Sequence, residues 1–195
     1  MHSFPASLLN GYKSFMEGRF TPERERYQRL ADQQSPSTMI IACCDSRSAP
    51  ETIFDAGPGE LFVLRNVANL VPPYQPDAAQ HGTSAAIEFA VNALGIRHLV
   101  VMGHGRCGGI RAALDVNGGP LAPGDFIGKW MNLLAPASEA VSRYTLLTDR
   151  ERQTMLERFS IRNSISNLRS FPYIKSLEAE GKLGADLMAP VQAAA

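Results

Sequence analysis

Several features that would assign this sequence to a special class of protein are scarce in it. It contains three cysteines, an odd number, so we do not expect a framework of disulfide bonds. Basic and acidic residues total 19 each, which leaves no net basic field to attract nucleic acid or an anionic membrane. No apolar run reaches the length of about 18 residues that a transmembrane helix needs. The amino terminus has no pattern of a signal peptide, and we predict a cytoplasmic protein.

Composition and length indicate one packed domain. Hydrophobic residues make up 45% of the sequence and charged residues 19%, which is typical of a globular protein and not of a disordered one. A chain of 195 residues buries about 70% of the surface that it exposes when unfolded. We therefore predict a single domain over residues 1–195, in which residues 1–35 form an amino-terminal helical arm.

A continuous apolar run at residues 38–42 predicts a strand that is buried on both faces. Residues 60–64 predict another short strand, and residues 98–102 predict a third, buried one. Segments with helical spacing of apolar residues lie before, between and after them. These predicted helices are 6–17, 22–33, a turn from residue 50, 82–94, 107–114, 125–142 and 148–170. Strands that alternate with helices predict an α/β fold with a central, largely parallel β-sheet flanked by helices.

Possible metal ligands follow two of the predicted strands. Cys43 ends one strand, and His104 and Cys107 follow another in a His-x-x-Cys pattern. The carboxyl ends of parallel strands meet at one edge of a sheet, where ligands bind in α/β folds. Two thiolates and one imidazole suit Zn²⁺ and leave one tetrahedral position for water, as in catalytic rather than structural zinc sites. The pattern predicts one zinc ion per chain and an enzyme.

Each of these residues also has a simpler interpretation when it is taken alone. A buried cysteine is often only a small apolar residue of the core, and a single histidine in a loop is usually hydrogen-bonded and structural. The occurrence of all three at strand ends favours the shared metal site. Cys44 follows the first ligand directly and should point to the opposite side of an extended segment, so we expect it in the core and not as a fourth ligand.

Asp45 and Arg47 follow the first predicted ligand. An exposed pair of this kind contributes about 1 kcal/mol or less to stability. Beside a metal, a bidentate contact from Arg47 would fix the plane of the Asp45 carboxylate, which could then accept a hydrogen bond from water in the open position. If Arg47 released it, Asp45 could itself become the fourth ligand and exclude water, which gives a closed form of the site.

Cys43-x-Asp-Ser-Arg47, followed about sixty residues later by His104-x-x-Cys107-Gly-Gly, resembles the β-class carbonic anhydrases. The resemblance extends to residues 60–69 and to the helix that begins at Gly82, and it covers roughly residues 8–182. It implies that the two cysteines and the histidine hold zinc and that Asp45 and Arg47 are catalytic. The implied activity is the reversible hydration of carbon dioxide to bicarbonate and a proton.

The same resemblance implies a substrate pocket that is formed partly across a dimer interface, and hence a homodimer or a dimer-based oligomer. The residues that match pocket positions are Gln34, Phe62, Val67, Phe89 and Gly108. Glutamine at the first of these positions accompanies an open zinc site in the family. Members with a regulatory bicarbonate pocket instead have a tryptophan at the position of Ile40, so the resemblance favours the open, water-bound form.

Two positions depart from the family pattern. The position of Phe89 is often tyrosine, and the loss of one hydroxyl should tune the pocket without disabling it. Relatives usually continue after the last helix into a strand with a His-Gly-aromatic signature, whereas residues 182–195 here form an atypical short tail. We expect this tail to leave a sheet edge exposed that relatives cover.

Other functions fit parts of the sequence. Gly103-x-Gly105-x-x-Gly108 matches the dinucleotide-binding pattern, but residues 115–124 are rich in glycine and proline and cannot form the buried strand that such a fold needs next. The predicted zinc site could alternatively hydrolyse COS or CS₂, which are linear like CO₂. A non-catalytic, zinc-stabilised scaffold is a third alternative, although it would need the ligands alone and not the aspartate–arginine pair.

Overall fold

A computed structural model of the chain describes residues 4–115 and 119–191, without the side chains of residues 187–191. The chain divides into two compact units, Met1–Ser35 and Pro36–Ala195. The boundary between them coincides with the end of the predicted helical arm. The single domain over residues 1–195 stays a prediction.

The first unit is helical. Helix α1 spans Ala6–Phe15 and continues into a π-helical turn, and α2 spans Arg24–Asp32. The rings of Phe15 and Phe20 pack against Tyr27, with centroid separations of 5.7 and 5.1 Å. No residue in the described range 4–35 is buried, so this aromatic cluster is the main packing within the unit.

The second unit contains a four-stranded sheet in the order β2-β1-β3-β4, and every strand pair is parallel. The strands are β1 Thr38–Cys43, β2 Leu61–Asn66, β3 His98–His104 and β4 Gly184–Val191. The predicted parallel sheet is confirmed, and the three predicted strands extend one or two residues further at their carboxyl ends. These extra residues include Cys43 and His104, so two of the predicted ligands end neighbouring strands.

The expectation that the tail leaves a sheet edge exposed is wrong. Strand β4 lies in that tail and pairs with β3, from Gly184 opposite His98 to Val191 opposite His104. The preceding helix ends at Ala179, Gly181 adopts a positive φ of 67°, and Leu183 is buried as the chain enters the strand. The segment has few of the β-branched and aromatic residues that favour strands, so its structure is decided by the free edge of β3 rather than by local propensity.

Helices cover the sheet. They are α3 Pro50–Ile53, α4 Gly82–Glu88, α5 Gly108–Leu114, α6 Phe126–Met131, α7 Ala135–Ser142, α8 Asp149–Leu168 and α9 Pro172–Ala179. The single helix predicted over 125–142 is instead two helices separated by a 3₁₀ turn, because Pro136 at the start of α7 cannot donate an intrahelical hydrogen bond. Helix α8 begins with a capping box between Thr148 and Glu151.

Strand β1 has buried apolar side chains on both faces. Met39 and Ile41 of β1 pack in the main core cluster with Leu99 of β3 and Ile161 of α8. The intervening residues of β1 belong to a smaller cluster with Met102. Burial on both faces explains why β1 has a continuous apolar run rather than an alternating one, whereas the residues of β2 are only half-buried. In the described part of the chain, no helix has the length and apolar composition to cross a bilayer.

Candidate active site

The predicted ligands Cys43, His104 and Cys107 lie together at the carboxyl edge of the sheet, and we call them the donor cluster. Strand β1 ends at Cys43, β3 ends at His104, and Cys107 is the N-cap of α5. The two Sγ atoms are 3.8 Å apart, and one ligand atom from each residue lies within 4.8 Å of the others. All three residues are buried, with exposures of 5%, 5% and 1%.

The hydrogen bonds of His104 test whether this cluster fits a metal. Its Nδ1 lies 3.1 Å from the carbonyl oxygen of Gly105, so Nδ1–H donates and Nε2 keeps its lone pair. Nε2 is buried and has no hydrogen-bond partner among the described residues. A buried ring nitrogen without a partner is costly unless something else binds it. With two thiols beside it, the unpaired nitrogen fits a metal ion that takes nitrogen and sulfur donors, as zinc does.

The contact between the two thiols shifts their pKa values in opposite directions. The hydrogen bond from Cys107 is the main cause that lowers the pKa of Cys43 to about 4. Backbone N–H groups of Ala68 and Asp45 also point at the Cys43 sulfur, at 3.3 and 3.5 Å. The same contact with Cys43, together with burial, raises the pKa of Cys107. The neighbouring Cys43 side chain raises the pKa of His104. The surroundings therefore favour the deprotonated form of Cys43, which is the form of a cysteine that binds a metal ion.

Asp45 and Arg47 form the predicted bidentate pair. Arg47 donates from Nε to Oδ1 at 2.9 Å and from Nη2 to Oδ2 at 2.7 Å, and its backbone N–H donates to Oδ1 at 3.0 Å. These hydrogen bonds hold the pKa of the Asp45 carboxyl well below its usual range. Oδ2 lies 3.8 Å from Nε2 of His104. The carboxylate is thus ionised, fixed in orientation and directed at the donor cluster.

Sequence reasoning assigned no role to Arg65, which the structure places behind the first ligand. It donates from Nε to the carbonyl oxygen of Cys43 at 2.9 Å and from Nη2 to that of Asp45 at 2.6 Å. Arg65 therefore fixes the turn that carries both the metal donor and the carboxylate. Its position near the end of an otherwise apolar strand, within the segment 60–69 that resembles the family, is the sequence signal that could have identified it.

The predicted substrate-pocket residues lie in different places. Phe62 of β2 and Phe89 after α4 form an aromatic pair with ring centroids 6.0 Å apart. Val67 lines a cavity of about 790 Å³ together with residues of α6, and its carbonyl oxygen accepts a hydrogen bond from Trp130 Nε1 at 2.8 Å. Gly108 lines a separate cleft of about 1,090 Å³.

The remaining pocket residue, Gln34, lies in the first unit, where it is exposed and follows α2. Its participation in a pocket stays a prediction, like the roles of the other four residues.

Cys44 is exposed, so the expectation that it lies in the core is wrong. The alternation of side chains across a strand applies only while the strand continues. Here β1 ends at Cys43, and the chain turns outward with Cys44 N–H bonded to the Asn66 carbonyl oxygen at 2.9 Å. Cys44 is also outside the donor cluster, as predicted.

A dinucleotide-binding fold would require a strand soon after α5. Among the described residues of the loop before α6, namely 115 and 119–125, none is in a strand, and residues 116–118 lie outside the described part of the chain. The glycine pattern at residues 103–108 instead forms the turn between His104 and Cys107, in which Arg106 adopts a positive φ of 57°.

Comparison with known proteins gives a consistent result. Residues 38–188 match the family described as "Carbonic anhydrase". The chain is 35% identical over 176 residues to "Beta carbonic anhydrase 5, chloroplastic" of Arabidopsis thaliana, covering 88% of this chain and 56% of the relative. It is 32% identical over 180 residues to "Beta carbonic anhydrase 3" of the same plant, covering 90% and 69%. The chain thus spans little more than half the length of the first of these curated relatives.

Solved structures with the same fold include the β-carbonic anhydrase CcaA, with a TM-score of 0.86 and 31% identity over 93% of this chain and 80% of that one. A second is one of two tetrameric β-carbonic anhydrases from the filamentous ascomycete Sordaria macrospora, with a TM-score of 0.69 and 30% identity over 93% and 85%. The family match over residues 38–188 includes all three residues of the donor cluster.

Proposed function

This chain belongs to the β class of the carbonic anhydrase family, and we propose that it catalyses the reversible hydration of carbon dioxide to bicarbonate and a proton. The observation that carries the proposal is the donor cluster, with its unpartnered His104 Nε2, next to the Asp45–Arg47 pair. A scaffold would need the donors alone, whereas this site also holds an oriented carboxylate at the same edge of the sheet.

Zinc is the cofactor of this family, and Cys43, His104 and Cys107 are the residues that would hold it. Three protein donors leave one position of a tetrahedral site for water. When bound, zinc supplies Lewis acidity that lowers the pKa of water from 15.7 towards about 7, so that a nucleophile is available at neutral pH.

Asp45 would orient the attacking water. Its ionised carboxylate can only accept hydrogen bonds, and Oδ2 faces the donor cluster at 3.8 Å from His104 Nε2. Arg47 keeps this carboxylate charged and prevents it from rotating, because it donates to both oxygens. The pair would therefore hold the water in one orientation, which lowers the entropic cost of attack on carbon dioxide.

Carbon dioxide is apolar, and we propose that Phe62, Val67 and Phe89 provide its apolar surroundings. Val67 is well placed for this role because the next residue, Ala68, donates its N–H to the Cys43 sulfur. Gly108 would leave room for bicarbonate, since a Cβ built there meets no atom within 4 Å.

We further propose a dimer-based oligomer. Val67, Phe89 and Phe126 have exposures of 38%, 49% and 84% in the single chain, and a second copy could cover these apolar side chains. The Sordaria relatives are tetrameric. We propose a cytoplasmic location because the donor thiols must remain reduced, although the relatives named above include a chloroplastic form.

The proposal is tested by measuring carbon dioxide hydration in a stopped-flow instrument and metal content on the same purified sample. We expect about one zinc per chain, loss of hydration on chelation and recovery when zinc is returned. Hydration that persists after complete removal of the metal would refute the proposal. Release of sulfide from COS, measured in parallel, compares the alternative substrate directly.

A further inference from the structure

Helix α8 carries two polar side chains into an apolar part of the second unit. Gln153 and Glu157 are one helical turn apart, and we call them the α8 pair; their exposures are 8% and 4%. The neighbouring Leu156 belongs to the same apolar core cluster as both donor cysteines. No basic side chain among the described residues lies within ion-pair distance of Glu157. A buried carboxylate without a cation is costly, so its contacts must explain its presence.

Both side chains of the α8 pair form hydrogen bonds with the backbone of Cys107. The Cys107 N–H donates to Glu157 Oε1 at 3.1 Å, and Gln153 Nε2 donates to the Cys107 carbonyl oxygen at 3.2 Å. Gln153 Nε2 also donates to Glu157 Oε1 at 3.0 Å, which connects the two side chains. The α8 pair therefore holds both peptide groups that flank the Cα atom of this donor.

The turn before Cys107 needs such support. Arg106 has a φ of 57°, in the left-handed region that side chains other than glycine rarely adopt. A conformation of this kind persists only where surrounding contacts determine it. If the Cys107 peptides were free to rotate, the turn could relax, and the Cys107 sulfur would move away from its 3.8 Å separation from the Cys43 sulfur.

We propose that Glu157 and Gln153 are positioning residues that fix the Cys107 sulfur in the geometry for metal binding. The inference rests on the proposed function, because it treats Cys107 as a zinc ligand. We attribute the positioning of Cys107 to the acceptor oxygen of Glu157 and not to the charge of its carboxylate. Both hydrogen bonds of this side chain use the single atom Oε1. Residues that orient metal ligands from behind typically change metal affinity 10–100-fold when they are replaced.

The test uses cadmium binding to the full chain, followed by the thiolate-to-cadmium absorption band and by competition with a chelator. We expect Glu157→Leu to weaken cadmium affinity about 10–100-fold and to change the intensity of the band. Glu157→Gln keeps the acceptor oxygen and should stay within about threefold of the original chain. Asn167→Leu is the matched control, because it removes a hydrogen bond from the same helix to the Val71 carbonyl oxygen and should alter stability without altering affinity.

If Glu157→Leu does not fold, cadmium binding is measured on Gln153→Leu instead. We expect this variant to lose about tenfold in cadmium affinity. Affinity within about threefold of the original chain in whichever of these two variants folds would overturn the inference. An equal loss in Glu157→Gln and Glu157→Leu would also overturn it, because the charge would then be the cause. If the unaltered chain bound no cadmium, the proposed metal site itself would be refuted, which is a distinct outcome.

Discussion

The guanidinium of Arg47 donates to both carboxylate oxygens of Asp45, and the same Nη2 atom donates to the carbonyl oxygen of Arg106 at 3.1 Å. Arg106 lies in the turn between His104 and Cys107. One side chain thus connects the carboxylate that follows β1 to the ligand turn that follows β3. The orientation of the carboxylate and the geometry of the donor cluster are therefore coupled.

Replacing Asp45 with asparagine should retain zinc and lower the rate of carbon dioxide hydration at least about tenfold. The amide cannot accept on both sides as the carboxylate does, so the attacking water loses its orientation. Stopped-flow hydration and zinc content on one sample check this expectation. Asp149→Asn is the matched control, because it makes the same change in an exposed pair with Arg152. Equal turnover in Asp45→Asn and the original chain would contradict the assigned role.

Replacing Cys107 with serine should release the metal, since a hydroxyl is a much poorer zinc ligand than a thiolate. The zinc content is expected to fall from about one per chain to near zero, with a lower melting temperature. Cys44→Ser is the control, because this neighbouring cysteine is exposed and outside the donor cluster. Full zinc content in Cys107→Ser, measured by atomic emission, would rule this residue out as a ligand.

Removing zinc with a chelator should lower the melting temperature of the unaltered chain. Free zinc at about 1,000 times its dissociation constant stabilises a protein by about 4 kcal/mol. For a chain of this length that corresponds to about 8–16 °C. Differential scanning calorimetry with and without zinc measures the shift, and Cys107→Ser should show almost none. A shift of the same size in that variant would place the bound zinc elsewhere.

Two adjacent glycines provide a matched test of packing behind the site. A Cβ built on Gly109 would lie 2.8 Å from Val67 Cγ1 and 3.1 Å from Ala68 Cβ, whereas one built on Gly108 meets nothing within 4 Å. Gly109→Ala should therefore cost about 1–3 kcal/mol of unfolding free energy. Gly108→Ala should change it by no more than about 0.5 kcal/mol. Chemical denaturation of both variants is the measurement, and equal stability would show that the close approach is not required.

The parts of the fold that have a local sequence pattern could be predicted. Short, mainly apolar segments identified β1, β2 and β3, and donor chemistry after two of them identified Cys43, His104 and Cys107. Strand β4 was missed, because its composition is weak and its pairing depends on β3, more than eighty residues earlier in the chain.

The supporting residues were missed for a related reason. Arg65 reaches Cys43 across 22 residues of sequence, and Glu157 reaches Cys107 across 50. Neither contact follows a helical or strand period, so no local pattern indicates it. Metal donors have a characteristic chemistry that a sequence displays, whereas the residues that orient them are recognisable only when the fold has brought them together.

The most direct test of the central claim is zinc K-edge X-ray absorption on the purified protein. The account predicts one zinc with two sulfur neighbours at about 2.3 Å and two nitrogen or oxygen neighbours at about 2.0–2.1 Å. These would be the two cysteines, His104 and one open position taken by solvent or, in a closed form, by Asp45. A protein that binds no zinc, or a zinc ion surrounded by four sulfur atoms, would contradict it.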